Sequence, residues 1–212
     1  MNIAIFGASG GTGTLLTERS LAAGHTVSAL LRTPAGFPFK DRVRVVPGNA
    51  FDPTAIADTL AGADLVFSAL GARSLGKEDV LERAIPLIVA AMQAHGPRRI
   101  IALGSAGAEP GSLSKQPAWR RWIVQKILYK TLLKYPVASQ IAQWHTLSTS
   151  NLDWTMVMPP MLTNAPAQGR YRIDGEALPR NGNRIARADL AAFMFAQIDN
   201  PEWVRRGVYI TW

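Results

Sequence analysis

Two hydrophobic patterns alternate along this chain. Asn2–Phe6 is a short apolar run, followed by Gly7-Ala8-Ser9-Gly10-Gly11-Thr12-Gly13. Leu15, Leu16, Arg19 and Leu21-Ala22-Ala23 then recur at helical spacing until Gly24 stops them. Thr26–Leu31 is β-branched and aliphatic and reads as a second strand. Strand, glycine turn, helix and strand fit within about 30 residues, the size of a βαβ unit. The alternation continues with strands predicted at Val43–Val46, Leu65–Leu70, Arg99–Leu103, Trp154–Met158 and Val208–Thr211. Helices are predicted over Pro53–Leu60, with Asp52 as N-cap, and over Val80–Ala94, stopped by His95-Gly96-Pro97. Two more follow at Ser139–Ser150 and Asp189–Ile198. A polar stretch, Gln168–Arg184, carries Asp174-Gly175 and Asn181-Gly182, which are hairpin turn signals.

Near-continuous apolar strands separated by helices imply an α/β fold, a single doubly wound parallel sheet with helices on both faces. A length of 212 residues predicts one domain over 1–212. Two substrate-side elaborations remain, 107–136 and 161–185, each placed after a strand. Ligands of open α/β sheets sit beyond the carboxyl ends of the strands, so both segments are expected to overhang a site.

Composition narrows the chemistry. The chain has no cysteine, which removes disulfides, thiolate metal sites and a cysteine nucleophile. The three histidines, His25, His95 and His145, fall in no metal-ligand spacing, so no metal is expected. The longest apolar runs, such as Ile85–Met92, fall far short of the ~20 residues of a membrane span. Met1-Asn2-Ile3-Ala4-Ile5-Phe6-Gly7 lacks the basic start and cleavage site of a signal peptide, so a cytoplasmic protein is expected.

Charge adds one local feature. The net charge is +8, from 23 basic and 15 acidic residues. Residues 110–152 hold Lys115, Arg120, Arg121, Lys126, Lys130 and Lys134 and no acid, which points to an anionic partner near that segment. Within 115–134, Trp119, Trp122, Ile123, Ile127 and Leu128 recur at three- and four-residue spacing, with Lys126, Lys130 and Lys134 on another face, as in an amphipathic basic helix. Three readings stay open: a solvated face above a buried stripe, an electropositive lid over an acidic substrate, or a membrane-surface or nucleic-acid contact. No nucleic-acid module accompanies it. The expected partner is therefore a small molecule, anionic and aromatic or conjugated. Nucleic acid and stable membrane association are not expected, and the assembly is a monomer or small homo-oligomer.

The spacing Gly7-x-x-Gly10-x-x-Gly13 carries the strongest chemical signal. Glycine permits a sharp turn and lets a pyrophosphate approach the amides, and the following helix N-terminus favours negative charge. The strand before it and the helix after it supply the context this short motif needs. A phosphate-loop NTPase is excluded because no Lys-Ser/Thr pair follows the last glycine. NAD-preferring sites place an acid at the end of the second strand to hold the ribose 2′-hydroxyl. Here Leu31-Arg32-Thr33 stands instead, and Arg32 and Thr33 can hold a 2′-phosphate, so NADP is the expected cofactor.

With these motifs the chain resembles the atypical short-chain dehydrogenases/reductases with a Rossmann domain. Within them it is most similar to the biliverdin-IXβ reductase and NADPH-dependent flavin reductase group. The resemblance rests on Ile3 to Gly13, Leu31-Arg32, Gly48-Asn49, Leu70-Gly71-Ala72-Arg73, Ile88 to Gly96, Ser105, Val157-Met158-Pro159-Pro160 and Ile185 to Leu190. It implies that Gly7, Ser9, Gly10, Gly11, Thr12 and Gly13 hold the pyrophosphate, and that Asn49 and Ala50 border the adenine. It further implies that Ala69, Leu70, Gly71 and Arg73 lie along the nicotinamide, that Ser105 sits beside the reacting ring, and that Pro159 and Pro160 shape its pocket. Asn49 stands where the family usually has aspartate. Two further departures bear on the acceptor: Met161 stands where some members place a histidine, and the stretch between Ser105 and the helix at Ser139 is longer and far more basic than in the compact reductases.

The Tyr-x-x-x-Lys pair of alcohol dehydrogenases of this class is absent. Tyr129 is followed by Lys130 and Lys134, and Tyr135 by Ser139. Alcohol oxidation, which must remove a hydroxyl proton, is disfavoured. Direct hydride delivery to a flavin such as FMN, or to a biliverdin-like tetrapyrrole, needs only positioning, with the proton from water. Ser105 is the candidate catalytic residue for that positioning. The alternative is an NADPH-sensing regulatory protein of the NmrA-like type, which binds cofactor without turnover. His145 reads as a packing or surface histidine, Asp189 as a helix N-cap and Arg187 as an ion-pair partner.

Overall fold

The computed structural model describes residues 1–71, 76–109, 111–131 and 133–212. The first half runs β1 (Asn2–Phe6), α1 (Gly11–Ala22), β2 (Thr26–Leu31), β3 (Arg44–Pro47), α2 (Pro53–Leu60), β4 (Leu65–Ser68), α3 (Val80–His95) and β5 (Arg99–Leu103). It continues with α4 (Ala118–Lys126), α5 (Lys134–Ser148), β6 (Asp153–Met158), β7 (Met161–Thr163), β8 (Arg172–Asp174), β9 (Arg184–Ala186), α6 (Arg187–Ala196) and β10 (Arg206–Thr211).

The main sheet has the order β3-β2-β1-β4-β5-β6-β10-β8. Strands β3 to β10 run parallel, and β8 joins β10 antiparallel at the edge. Both faces are covered. Ile3 and Ile5 of β1 pack into a core with Leu16 of α1 and Leu190 of α6, while Ala4 and Phe6 pack with Ile56 of α2, Ile85 and Ile88 of α3 and Leu147 of α5. A strand buried on both sides needs apolar residues at every position, which is why β1 shows no two-residue alternation in sequence. Each fully buried isoleucine or phenylalanine contributes about 1.5–3 kcal/mol.

The connections explain where a site can form. From β1 the chain leads to β2 and β3 on one side, and from β4 to β5 and β6 on the other. The strand order reverses between β1 and β4, and a crevice opens beyond their carboxyl ends.

Several predicted elements change on folding. The strand expected over Leu65–Leu70 ends at Ser68, and the Ala69 amide makes a last hydrogen bond to the Phe6 carbonyl at 2.8 Å. The helix expected from Ser139 begins at Lys134. Pro136 is tolerated there because first-turn amides have no intrahelical partner. The basic helix ends at Lys126 and gives way to a 3₁₀ turn at Leu128–Lys130. The hairpin read into Gln168–Arg184 does not form: β8 pairs with β10, and β9 pairs in parallel with β7. Its turn residues do turn the chain. Asp174 Oδ1 accepts from Glu176 N at 2.9 Å and Ala177 N at 3.2 Å, and Asn181 sits at φ 61°.

Candidate functional site

Gly7 leaves β1 at φ 81°, a conformation that glycine adopts freely. A methyl group on it would lie 2.7 Å from the Ala69 carbonyl, so the ends of β1 and β4 touch. Gly13 is more constrained: a Cβ there would lie 2.1 Å from the Gly7 oxygen. At Gly10 the nearest atom is 3.4 Å away, ordinary contact. Gly7 and Gly13 are thus required by the chain itself, whereas Gly10 leaves open space. Helix α1 opens at Gly10 with no side-chain cap and no acid in its first turn. Its first amides and the positive end of its dipole are therefore free for an anion.

Beside this turn lies a cleft of about 710 Å³. Gly10, Gly11 and Thr12 line it from α1, Ala69, Leu70 and Gly71 from the end of β4, Ser105 from the end of β5, and Pro159 and Pro160 from the end of β6. The Ala106 amide donates to the Pro159 carbonyl at 2.9 Å and holds the last two strand ends together. Ser105 Oγ is half-buried and accepts from the Gly107 amide at 3.4 Å.

Arg32 and Thr33 stand exposed after β2, outside the cleft lining. Asn49 and Ala50 follow β3 alongside, where the Gly48 amide donates to the Leu31 carbonyl at 3.0 Å. Asn49 Oδ1 accepts from the Phe51 amide at 2.8 Å, a turn contact that aspartate and asparagine make equally well. Arg73 lies outside the described residues.

The far wall is built by the two elaborations, which are tied to one another. Gln116 Nε2 donates to the Leu178 and Pro179 carbonyls at 2.8 and 2.9 Å. Arg120 donates to the Gly182 carbonyl at 3.0 Å, and Lys115 meets Asp174 at 2.6 Å. The cleft wall is apolar at Leu81, Leu113, Val124, Leu128 and Leu178, and cationic at Arg120, Arg121 and Arg187. No Asp or Glu stands among the described residues that line it.

Sequence reasoning missed some of these residues. Arg187 makes no ion pair among the described residues. It donates to Asn164 Oδ1 at 2.7 Å, and its Cδ lies 2.9 Å from where a Cβ on Gly11 would sit. Tyr129 reaches the cleft without the Tyr-x-x-x-Lys pattern, its hydroxyl packed over Gly107. Burial pushes its phenol above the ordinary range, so it stays protonated. His145 is exposed on α5 and outside the cleft. Lys126, Lys130 and Lys134 are exposed too, and the cations facing the cleft are arginines.

Asp189 is not an N-cap. Helix α6 is preceded by Ala186, with no side-chain cap, and Asp189 sits in its first turn. Its carboxylate is 2% exposed and accepts from Gln168 N, Gly169 N and Trp212 Nε1 at 2.9, 3.0 and 2.8 Å. Burial alone would raise its pKa, but these donors outweigh it and hold the carboxyl below its usual value. Asp189→Ala strands three donors and should cost about 2–3 kcal/mol, or roughly 4–12 °C in Tm. A group whose pKa is depressed by folding stabilises the fold above its unfolded value, and that contribution fades as pH falls through the folded one. The Tm gap between wild type and variant should therefore narrow in acid. Melting curves at neutral and acid pH check this, and a constant gap contradicts it.

Known proteins agree with this architecture. The chain matches the NAD(P)H-binding family over residues 7–201 and belongs to it. It is similar in fold to ChuY, an anaerobillin reductase from Escherichia coli O157:H7, at 22% identity, covering 100% of this chain and 97% of that one, with a TM-score of 0.82. A wide-type short-chain dehydrogenase/reductase from Veillonella parvula DSM 2008, solved in complex with NADP, is 21% identical, with 100% and 94% covered and a TM-score of 0.82. The oxidoreductase ylbE from Lactococcus lactis is 21% identical, with 100% and 90% covered and a TM-score of 0.80. Family and fold together are those of an NAD(P)H-binding protein on a doubly wound α/β sheet.

Proposed function

We propose that this chain is an NADPH-dependent reductase of a planar, anionic, conjugated acceptor, a flavin such as FMN or a biliverdin-like tetrapyrrole. The observation that carries the reading is the cleft. It opens beside the glycine turn, is apolar over most of its wall, carries Arg120, Arg121 and Arg187, and shows no carboxylate among its described residues. Flat apolar walls suit a conjugated ring, and arginines suit its phosphate or carboxylate groups. A fold shared with an anaerobillin reductase supports the same class.

The residues present fit the cofactor. The uncapped amides of α1 receive the pyrophosphate, with Ser9 at the turn and Thr12 at its inner edge. Arg32 and Thr33 hold the 2′-phosphate, and Asn49 and Ala50 border the adenine. Ala69, Leu70 and Gly71 bound the nicotinamide on one side, and Pro159 and Pro160 on the other. Bound NADPH supplies the hydride. Ser105 orients the ring or the acceptor, and solvent delivers the accompanying proton.

Two outcomes follow. Ser105→Ala should lower kcat about tenfold or less, the scale of one lost neutral hydrogen bond of ~1 kcal/mol. Steady-state kinetics check it, and a loss of three decades would make Ser105 a general acid. FMN should react with a kcat/KM about tenfold or more above riboflavin, which has the same ring without the phosphate. That preference should shrink with salt, which screens exposed charge beyond ~8–10 Å, and should vanish in an Arg120→Gln, Arg121→Gln variant. Equal rates for the two flavins at low salt would remove the anionic part of the reading.

The absence of Lys, His, Asp and Glu from the described cleft residues also suits a second reading, a regulatory protein that binds NADPH and does not turn it over. Turnover separates the two.

A further inference from the structure

Helix α4 presents its apolar row outward. Its cleft row is Arg120, Arg121 and Val124, continued by Leu128 in the turn beyond. Its other row is Trp119, Trp122, Ile123 and Ile127, spaced as i, i+3, i+4 and i+8. These four are 67%, 57%, 38% and 45% exposed. A row of this kind faces the interior in most surface helices. The separate lysine face expected from the sequence does not hold for Lys126: it stands four residues from Trp122 and three from Ile123, in the same row, and is exposed, as is Lys130 in the turn that follows. The surrounding stretch, 110–152, has six cations and no acid; Lys115 is paired with Asp174 and Arg120 and Arg121 line the cleft, which leaves Lys126, Lys130 and Lys134.

We propose that this face docks reversibly on an anionic lipid bilayer. Indole and aliphatic side chains enter the headgroup boundary, and Lys126 and Lys130 meet lipid phosphates. Tryptophan suits that depth because its ring is apolar and its N–H is polar. Lysine suits it because its stem lies along the apolar phase while its ammonium stays in water. Charge decides between occupants. A second copy of the chain, meeting this one face to face, would set the same cations against each other, whereas anionic lipid neutralises them. No helix of the described residues is long and apolar enough to cross a membrane, so the contact is a surface one. It is compatible with the expected lack of stable membrane association, since docking of this strength is released by salt. The helix that touches lipid with one row lines the cleft with the other.

The test uses the full chain with vesicles of phosphatidylcholine alone and of equimolar phosphatidylcholine and phosphatidylglycerol, at low salt. The chain should sediment with the anionic vesicles only, with a blue shift of tryptophan emission. A Trp119→Ser, Trp122→Ser variant should bind at least about tenfold more weakly. Lys126→Gln and Lys130→Gln should each cost about fivefold. Both sets should keep the wild-type NADPH titration and far-UV spectrum, since none of these side chains lines the cleft. Failure to bind either vesicle, or equal binding to both, overturns the proposal. So does a dimer in sedimentation velocity that the Trp variant abolishes while vesicles go unbound, which would assign the row to a second copy.

Discussion

Gly13→Ala should destroy dinucleotide binding, and Gly10→Ala should weaken binding while leaving the fold intact. The two glycines lie three residues apart in one turn, but their surroundings differ. A Cβ on Gly13 meets backbone on every near side, 2.1 Å from the Gly7 oxygen and 2.8 Å from Ala8 Cα. No side-chain rotation relieves that clash, so the turn must open. Overpacking of this kind costs about 1–3 kcal/mol, and here it also displaces the amides of α1. A Cβ on Gly10 meets only the Gly7 oxygen at 3.4 Å, and the residue's φ of −78° is open to any amino acid. Its methyl group would project into the space proposed for the pyrophosphate. Thermal melts and NADPH calorimetry on both variants check the contrast. A Gly13→Ala protein that melts and binds as wild type, or a Gly10→Ala protein that binds as wild type, contradicts this account of the turn.

Arg32→Ala should weaken NADPH by about 10- to 150-fold and leave NADH nearly unchanged. The side chain stands exposed at the end of β2, and no described acid forms an ion pair with it. A charge-assisted contact with the 2′-phosphate contributes roughly 1.5–3 kcal/mol, which sets the range. NADH lacks that phosphate. Parallel titrations check it, and equal losses for both cofactors would place Arg32 outside the site.

The layered fold was legible because its signals are local. Strand, glycine turn and helix follow one another within Asn2–Ala22, and the Asp52 cap appears as read, with Oδ1 accepting from Thr54 N at 2.9 Å. What escaped depends on contacts between distant segments. Hairpin signals at Asp174 and Asn181 predict turns but cannot choose partners, and β8 found β10 instead of a neighbour. Asp189 has the residue type and place of an N-cap, yet Gln168, Gly169 and Trp212 claim its carboxylate. Amphipathic spacing in α4 shows two rows but not which faces inward. Helix α4 lines the cleft with Arg120, Arg121 and Val124, and its tryptophan row faces out. Tyr129 reaches the cleft by the same long-range folding with no motif to mark it, and Arg187, although it lies in the Ile185–Leu190 motif, reads in sequence as an ion-pair partner and not as part of the cleft.

Loss of the reduced-nicotinamide absorbance, followed with purified chain, NADPH and either FMN or biliverdin, tests the central proposal most directly. Many turnovers per chain are expected with at least one of these acceptors, and much slower turnover with NADH. Tight NADPH binding in calorimetry, with no oxidation above the uncatalysed rate for either acceptor, would contradict it and leave a protein that senses the cofactor without using it.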